Sequence, residues 1–144
     1  MTTSSSASAE ISASATNVIR VLLDFDKYPT WAGFESANIL HTNADRNDFE
    51  VQFGLATNGV SDKLTIQISQ PAPNVIVWSL RESALLSKLD GKFDISELDD
   101  NRCKVTYELD IRFKNAMMNL MKKALEGQMT QKLLDRLAGQ AANA

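Results

Sequence analysis

Three side chains with acid–base or hydrogen-bonding chemistry share the inward side of predicted strands. Strand alternation places Asp62 on the same face as Leu64, and Glu82 on the same face as Leu80. Burial there would raise the pKa of a carboxyl group, because desolvation disfavours the charged form, and the group could then act as a general base. Tyr107 has inward parity too, so its hydroxyl could orient a ligand carbonyl. The structural alternatives are solvated strand ends for the two carboxylates and core packing for the tyrosine.

The other reactive side chains fit structural roles better than chemical ones. His41 is the only histidine and lies at a predicted strand end, where a surface position is expected. Cys103 is the only cysteine, so it cannot form an internal disulfide, and its strand position predicts a small buried hydrophobe. Asp24 and Asp26 fit capping and turn positions better than metal ligation. Because zinc, EF-hand, P-loop and dinucleotide motifs are absent from the sequence, we expect no metal and no cofactor.

Composition and charge narrow the classes of partner. The formal net charge is −3, and the 15 lysines and arginines are scattered, so we expect no nucleic-acid binding. No apolar run approaches the roughly 20 residues of a membrane span, so no integral membrane association is expected. Residues 1–9 lack the basic and apolar parts of a secretory signal. We expect a cytoplasmic protein that is a monomer or a weak homodimer.

The N-terminal part predicts one strand followed by two short helices. The strand is expected over residues 8–12, and Ser14 and Thr16 are good caps for the helix that follows. Pro29 would end a continuing helix, so a second short helix or turn is expected within residues 24–34. Three aromatic side chains of this segment are expected to point inward: Tyr28, Trp31 and Phe34.

Six further strands are expected in hairpin succession. Their approximate ranges are 36–41, 49–55, 63–68, 75–81, 87–98 and 103–113. Asn58 and Gly59 predict a tight hairpin, since both tolerate a positive φ. After residue 115 the apolar period changes from two to between three and four, which predicts one helix over residues 115–138 with Asn115 as its N-cap.

This order of elements predicts an α+β domain with a helix-grip fold. About seven strands would form a curved antiparallel sheet wrapped around the long C-terminal helix, with two short helices after the first strand. We expect one domain over residues 7–140, with frayed tails at 1–6 and 141–144. A curved sheet and a straight helix leave a gap, which is a natural place for a ligand.

The opening residues carry a resemblance to a known family. The segment Ile11-Ser-Ala-Ser-Ala15, Val18 and the run Val21-Leu-Leu-Asp-Phe-Asp-Lys-Tyr-Pro-Thr-Trp31 resemble the polyketide cyclase/dehydrase branch of the START-like (SRPBCC, Bet v 1-like) superfamily. The resemblance implies a START-like helix-grip domain. It covers nearly the whole chain in element order, but its motif covers only about the first forty residues. The family includes cyclases, lipid carriers, hormone receptors and chaperone partners, so the fold implies no single activity.

The resemblance and the inward residues together suggest a cavity for an apolar small molecule such as a lipid, an isoprenoid or a polyketide-like compound. The flexible Met117 and Met121 would suit an adaptable wall, whereas Met118 is expected at an edge or exposed. Ordinary core packing is the alternative for each lining residue. The full set expected to contact ligand is Tyr28, Trp31, Phe53, Ile66, Trp78, Phe93, Tyr107, Met117, Met121 and Leu125.

Two other classes of function remain open from the sequence. The first is a polyketide cyclase or aromatase-type enzyme of the cyclase/dehydrase kind, in which Asp62, Glu82 or Tyr107 would move a proton. The second is a protein-interaction module that uses the outer face of the sheet or the helix. The outward strand positions are polar and mixed in charge, which favours the two ligand-binding hypotheses.

Overall fold

The computed structural model describes residues 5–45, 47–57, 60–120 and 122–142. Strand β1 (Ser5–Ile11) leads into helix α1 (Ala15–Leu23), whose N-cap Ser14 accepts a hydrogen bond from the backbone of Asn17 at 3.1 Å. A 3₁₀ turn (Phe25–Lys27) and the short helix α2 (Tyr28–Trp31) follow, with proline in the first turn of α2. Strand β1 therefore begins two residues inside the segment expected to be a frayed tail.

Six strands follow the short helices, as the alternation predicted. They are β2 (Ser36–Thr42), β3 (Asp48–Thr57), β4 (Val60–Ala72), β5 (Val75–Glu82), β6 (Leu86–Asp99) and β7 (Arg102–Phe113). The predicted Asn58–Gly59 turn between β3 and β4 lies outside the described residues. All neighbouring strands are antiparallel, and the seven-stranded sheet has the order β1-β7-β6-β5-β4-β3-β2. The predicted α+β helix-grip fold is confirmed.

The C-terminal helix covers one end of the sheet. Helix α4 (Lys122–Ala142) packs against β1 and β7, and its Leu134 and Leu137 are fully buried. Glu126 is buried on the same helix, and its carboxylate accepts a hydrogen bond from the backbone N–H of Ile111 at 2.6 Å. The carboxylate on the helix thereby accepts a hydrogen bond from a backbone N–H of β7. Among the described residues, the β1–β7 pairing runs from the Ser5–Leu109 pair to the Ile11–Cys103 pair and does not include Ile111.

The prediction of one continuous helix over residues 115–138 is wrong. The structure instead has a single helical turn, α3 (Ala116–Asn119), then a turn at Leu120, and α4 only from Lys122. The side chain of Asn119 explains the interruption, because it accepts a hydrogen bond from Phe113 N and donates one to Phe113 O, both at 2.7 Å. These two bonds fix α3 against the end of β7.

The β5–β6 hairpin opens towards its connecting loop. The β5–β6 pairing runs from the Val75–Asp94 pair to the Trp78–Gly91 pair. Residues 79–82 of β5 are not paired with residues 86–90 of β6, and all of these residues are described. Strand β5 remains paired with β4 there, and β6 with β7. The sheet therefore splits locally beside the connection 83–85 while each strand keeps one neighbour.

Candidate functional site

A cavity of about 350 Å³ lies within the concave side of the sheet and is lined mostly by apolar side chains. Its volume lies at the lower end of the range for small-molecule sites. The lining draws on α1, α2, the loop before β2, strands β3 to β7, the β5–β6 connection and α4. The described lining residues are Leu22, Phe25, Tyr28, Phe34, Phe53, Leu55, Asp62, Leu64, Ile66, Ile68, Ile76, Trp78, Leu85, Leu86, Leu89, Phe93, Tyr107, Leu109, Ile111, Phe113 and Leu133.

One wall of the cavity is an aromatic cluster from β5, β6 and β7. Phe93 stacks on Tyr107 with ring centroids 4.5 Å apart, and Trp78 lies 5.0 Å from Phe93 and 5.5 Å from Tyr107. Cross-strand pairing explains the contact, because Phe93 is directly opposite Tyr107 and Trp78 is directly opposite Gly91. The absence of a side chain at Gly91 gives the indole room against the sheet.

A second aromatic cluster faces the cavity from the N-terminal helices and β3. The ring of Phe53 lies 4.7 Å from Phe34 and 5.4 Å from Tyr28, and Tyr28 lies 5.5 Å from Phe25. The hydroxyl of Tyr28 donates a hydrogen bond to the backbone oxygen of Leu22, so its polar atom is satisfied within the protein. Burial raises the pKa of Tyr28 well above its usual range, with smaller contributions from nearby groups.

Asp62 lies in the cavity wall, as its strand parity predicted, but its chemistry differs from the expectation. Its Oδ1 accepts hydrogen bonds from Lys63 N at 2.8 Å and Ala84 N at 3.1 Å. Its Oδ2 accepts the Ser83 hydroxyl at 2.6 Å and Leu85 N at 3.3 Å. Burial acts to raise the pKa of Asp62, but these hydrogen bonds together outweigh it and lower the pKa.

The prediction that burial would raise the pKa of Asp62 is therefore wrong, and the hydrogen bonds also disfavour the role of general base. A carboxylate with a lowered pKa is a weak base, and four donors occupy the positions from which it would accept a proton. The carboxylate instead fixes the connection 83–85 to β4. Lys114, directly after β7, ties the same connection to the end of β7. Its backbone N–H donates to Leu85 O and its ammonium group to Ser83 O, both at 2.9 Å.

The other two candidates for acid–base chemistry differ from each other. Glu82 is exposed and is absent from the described lining, so its predicted inward position is wrong. A bulge is the reason: Ile66 pairs with Leu80 while Thr65 pairs with Glu82, which breaks the alternation between residues 80 and 82. Tyr107 lines the cavity, and burial raises the pKa of its phenol well above the usual range, so it is a hydrogen-bond donor rather than a base at neutral pH.

The structure brings together most of the residues expected to contact ligand. Six of them line the cavity: Tyr28, Phe53, Ile66, Trp78, Phe93 and Tyr107. Trp31 is buried beside Tyr28, with ring centroids 5.0 Å apart, but it is not a lining residue. Met117, on α3, is 74% exposed and is not among the described lining residues. Met121, and the side chains of Met118 and Leu125, lie outside the described part of the chain.

Several lining residues were not anticipated from the sequence. Leu85 and Leu86 belong to the β5–β6 connection and the start of β6, and their place depends on the attachment by Asp62. Phe113 continues the inward alternation of β7 after Tyr107, so periodicity alone could have identified it. Leu133 of α4 lay within the predicted apolar helix period but was not assigned to the site.

The remaining candidates have structural placements. His41 is exposed on β2. Cys103 is fully buried, and burial, with a smaller effect from Glu97, raises the pKa of its thiol. Within the described ranges, no cluster of three or more His, Cys, Asp or Glu side chains could hold a metal ion, and no helix is long and apolar enough to cross a membrane.

Comparison with known proteins identifies the family. Residues 11–138 match the family described as polyketide cyclase / dehydrase and lipid transport. The chain belongs to this family, which confirms the resemblance seen in its first forty residues. No curated protein sequence matches the chain significantly.

Solved structures agree with this assignment. A START superfamily protein from Mycobacterium smegmatis is 25% identical with a TM-score of 0.90, and the alignment covers 97% of each chain. The Zhui aromatase/cyclase from Streptomyces sp. R1128 is 18% identical with a TM-score of 0.87, over 99% of this chain and 94% of that one. Norcoclaurine synthase from Thalictrum flavum, solved with dopamine and hydroxybenzaldehyde, is 9% identical with a TM-score of 0.74, over 99% and 88% of the two chains. At these identities the last two show a common fold alone.

Proposed function

We propose that this protein binds an apolar small molecule, such as a lipid, an isoprenoid or a polyketide-like compound, in the cavity between its sheet and its C-terminal helix. The observation that carries the proposal is the cavity of about 350 Å³ and its lining of aromatic and branched aliphatic side chains. Transfer of apolar ligand surface out of water contributes roughly 25 cal/mol per Å², before the entropy lost on binding is subtracted. The family match, which includes lipid transport, supports the same class of ligand.

Binding has more support than catalysis from the polar groups of the cavity. Of the three candidates for proton transfer, Glu82 is exposed and Asp62 is an acceptor for four hydrogen bonds. Tyr107 has a raised pKa, which suits a donor to a ligand oxygen. Of the two candidates that do line the cavity, one is thus a carboxylate already engaged by four donors and the other a neutral phenol, and neither suits a general base.

Two-dimensional NMR of the labelled protein tests the proposal directly. A panel of a fatty acid, an isoprenoid alcohol and two-ring aromatic compounds is titrated, and saturable shifts are expected for lining residues such as Phe53, Ile66 and Phe93. A cavity-filling change, Ile66→Phe, should weaken the best ligand at least several-fold. Leu40→Phe, at a site 51% exposed on β2, is the matched control and should leave affinity unchanged. Shifts confined to the surface, or equal affinity in both variants, would contradict a cavity site.

A further inference from the structure

Tyr107 carries a hydroxyl group that has no hydrogen-bond partner among the described residues. The residue is 5% exposed and lines the cavity, yet its hydroxyl has no hydrogen-bond partner in the described part of the chain, whereas the Tyr28 hydroxyl donates to Leu22 O. Buried tyrosine hydroxyls normally find a partner. Among the described residues, Trp31 Nε1 is the only side-chain polar atom that is fully enclosed by protein and has no partner. The Tyr107 oxygen is therefore not fully enclosed. The hydroxyl therefore opens onto the cavity.

The charge of the lining restricts what can occupy the cavity. Asp62 is its single charged side chain among the described lining residues, and lysine, arginine and histidine are absent from that set. Hydrogen bonds lower the pKa of Asp62, which keeps it anionic at neutral pH. A carboxylate or phosphate ligand would lose its hydration beside a fixed negative charge without gaining a cation. An uncharged ligand avoids this cost.

Two aromatic surfaces of the cavity favour ligands with flat, unsaturated groups. The cluster Trp78, Phe93 and Tyr107 lies on one side, and Tyr28, Phe34 and Phe53 contribute a second aromatic surface. Aromatic side chains pack well against other π systems in offset or edge-to-face geometry.

From these three features we infer that the ligand is an uncharged, largely unsaturated molecule bearing one hydrogen-bond-accepting oxygen, which Tyr107 holds against the Trp78–Phe93 wall. This inference rests on the proposed ligand-binding function. Tyr107 is the residue that selects the polar group. Anions are excluded by Asp62 and by the lack of a cationic side chain among the described lining residues. The inference distinguishes a ketone, ester or quinone-like oxygen from the carboxylate of a free fatty acid.

Three compounds with one two-ring skeleton separate these contributions. They are 2-acetylnaphthalene, which carries a carbonyl, 2-ethylnaphthalene, which has no polar group, and 2-naphthoate, which is an anion at neutral pH. Affinities are measured by isothermal titration calorimetry for the wild type and for Tyr107→Phe. We expect the variant to bind the ketone about fivefold to tenfold more weakly and the hydrocarbon equally well or more tightly, because only the ketone loses a hydrogen bond. We expect 2-naphthoate to bind more weakly than the ketone to both proteins.

A spectroscopic readout keeps the test independent of how well the variant folds. The infrared carbonyl stretch of 2-acetylnaphthalene bound to the wild type should lie below its frequency in an apolar solvent, because a hydrogen bond weakens the C=O bond. An unshifted stretch, equal losses for ketone and hydrocarbon in Tyr107→Phe, or naphthoate binding as tight as ketone binding would overturn the inference. In each of these cases, binding of 2-ethylnaphthalene would still support the proposed function. If none of the three compounds binds while a fatty acid or isoprenoid alcohol of the NMR panel does, the inference fails and the proposed function stands. If no compound of either set binds, both fail.

Discussion

The indole of Trp78 lies directly against Gly91 on the neighbouring strand, at the last pair of the β5–β6 ladder. A Cβ atom added at residue 91 would lie 2.1 Å from Cε2 and Cζ2 of that ring, which is far inside van der Waals contact. Since the ring is rigid and sits among Phe93 and Tyr107, it can respond only by moving as a unit. The lack of a side chain at residue 91 thus determines the position of Trp78 in the cavity wall.

Gly91→Ala should therefore lower the free energy of unfolding and alter the cavity. We expect a loss of about 1–3 kcal/mol, as for other insertions into a packed core, measured by urea denaturation. The displaced indole moves away from the sheet towards the cavity, so affinity for 2-ethylnaphthalene should fall. Gly127→Ala is the matched control, since its added Cβ would meet nothing within 4 Å and helix propensity predicts a gain of roughly 0.5–1 kcal/mol. A Gly91→Ala protein as stable as the wild type would contradict the close packing.

Asp62→Asn should detach the connection 83–85 from β4. The change replaces one acceptor oxygen by an amide group that faces N–H and O–H donors, so we expect a loss of about 2–4 kcal/mol at pH 7. Hydrogen exchange at Ala84 and Leu85 should also become faster. Asp45→Asn, which removes the same charge from an exposed turn, is the control. Equal stability of the two variants would show that the connection is held by other contacts.

The ionisation of Asp62 should also make the free energy of unfolding depend on pH. Because the folded-state pKa of Asp62 is lowered, its contribution to stability is present above the unfolded pKa of about 3.9 and is lost as the pH falls through the folded value. The difference in unfolding free energy between wild type and Asp62→Asn should therefore shrink as the pH falls from about 5 through the unfolded value and below it. Urea titrations across that interval measure it. A difference that stays constant would mean that Asp62 gains no stability from ionisation.

Strand periodicity predicts the inner face of the sheet well, and it fails where distant residues intervene. Phe53, Ile66, Trp78, Phe93 and Tyr107 all line the cavity because alternation is a local property of an extended chain. Glu82 does not, because its orientation depends on a bulge in the pairing between β4 and β5, which sequence alone does not reveal.

The errors over Asp62 and the C-terminal helix have the same origin. The donors that lower the pKa of Asp62 come mainly from residues 83–85, more than twenty positions along the chain. The helix is interrupted because Asn119 bonds to the backbone of Phe113, a side-chain contact that apolar periodicity does not encode. In both places a specific polar contact overrides a local pattern.

Asn119→Ala should loosen the junction between β7 and the C-terminal helices. It removes the two 2.7 Å hydrogen bonds to Phe113 and leaves that backbone without a partner for its N–H and C=O groups. We expect a loss of about 1–2 kcal/mol in the free energy of unfolding and faster hydrogen exchange at Phe113. Asn38→Ala, at an exposed position on β2, should change neither quantity. Unchanged protection of Phe113 in Asn119→Ala would contradict the role of this side chain.

The chain has only two tyrosines, and burial raises the pKa of both Tyr28 and Tyr107. A raised pKa favours the neutral phenol in the folded state, so its contribution to stability is present below the unfolded pKa of about 10 and is lost as the pH rises above it. Native protein transferred to pH 11 should therefore show almost no phenolate absorbance at first. Phenolate should then appear only at the rate of unfolding, as followed by circular dichroism. Tyr107→Phe should halve the final absorbance change, whereas a rapid titration centred near pH 10 in the folded protein would show that one phenol is open to solvent.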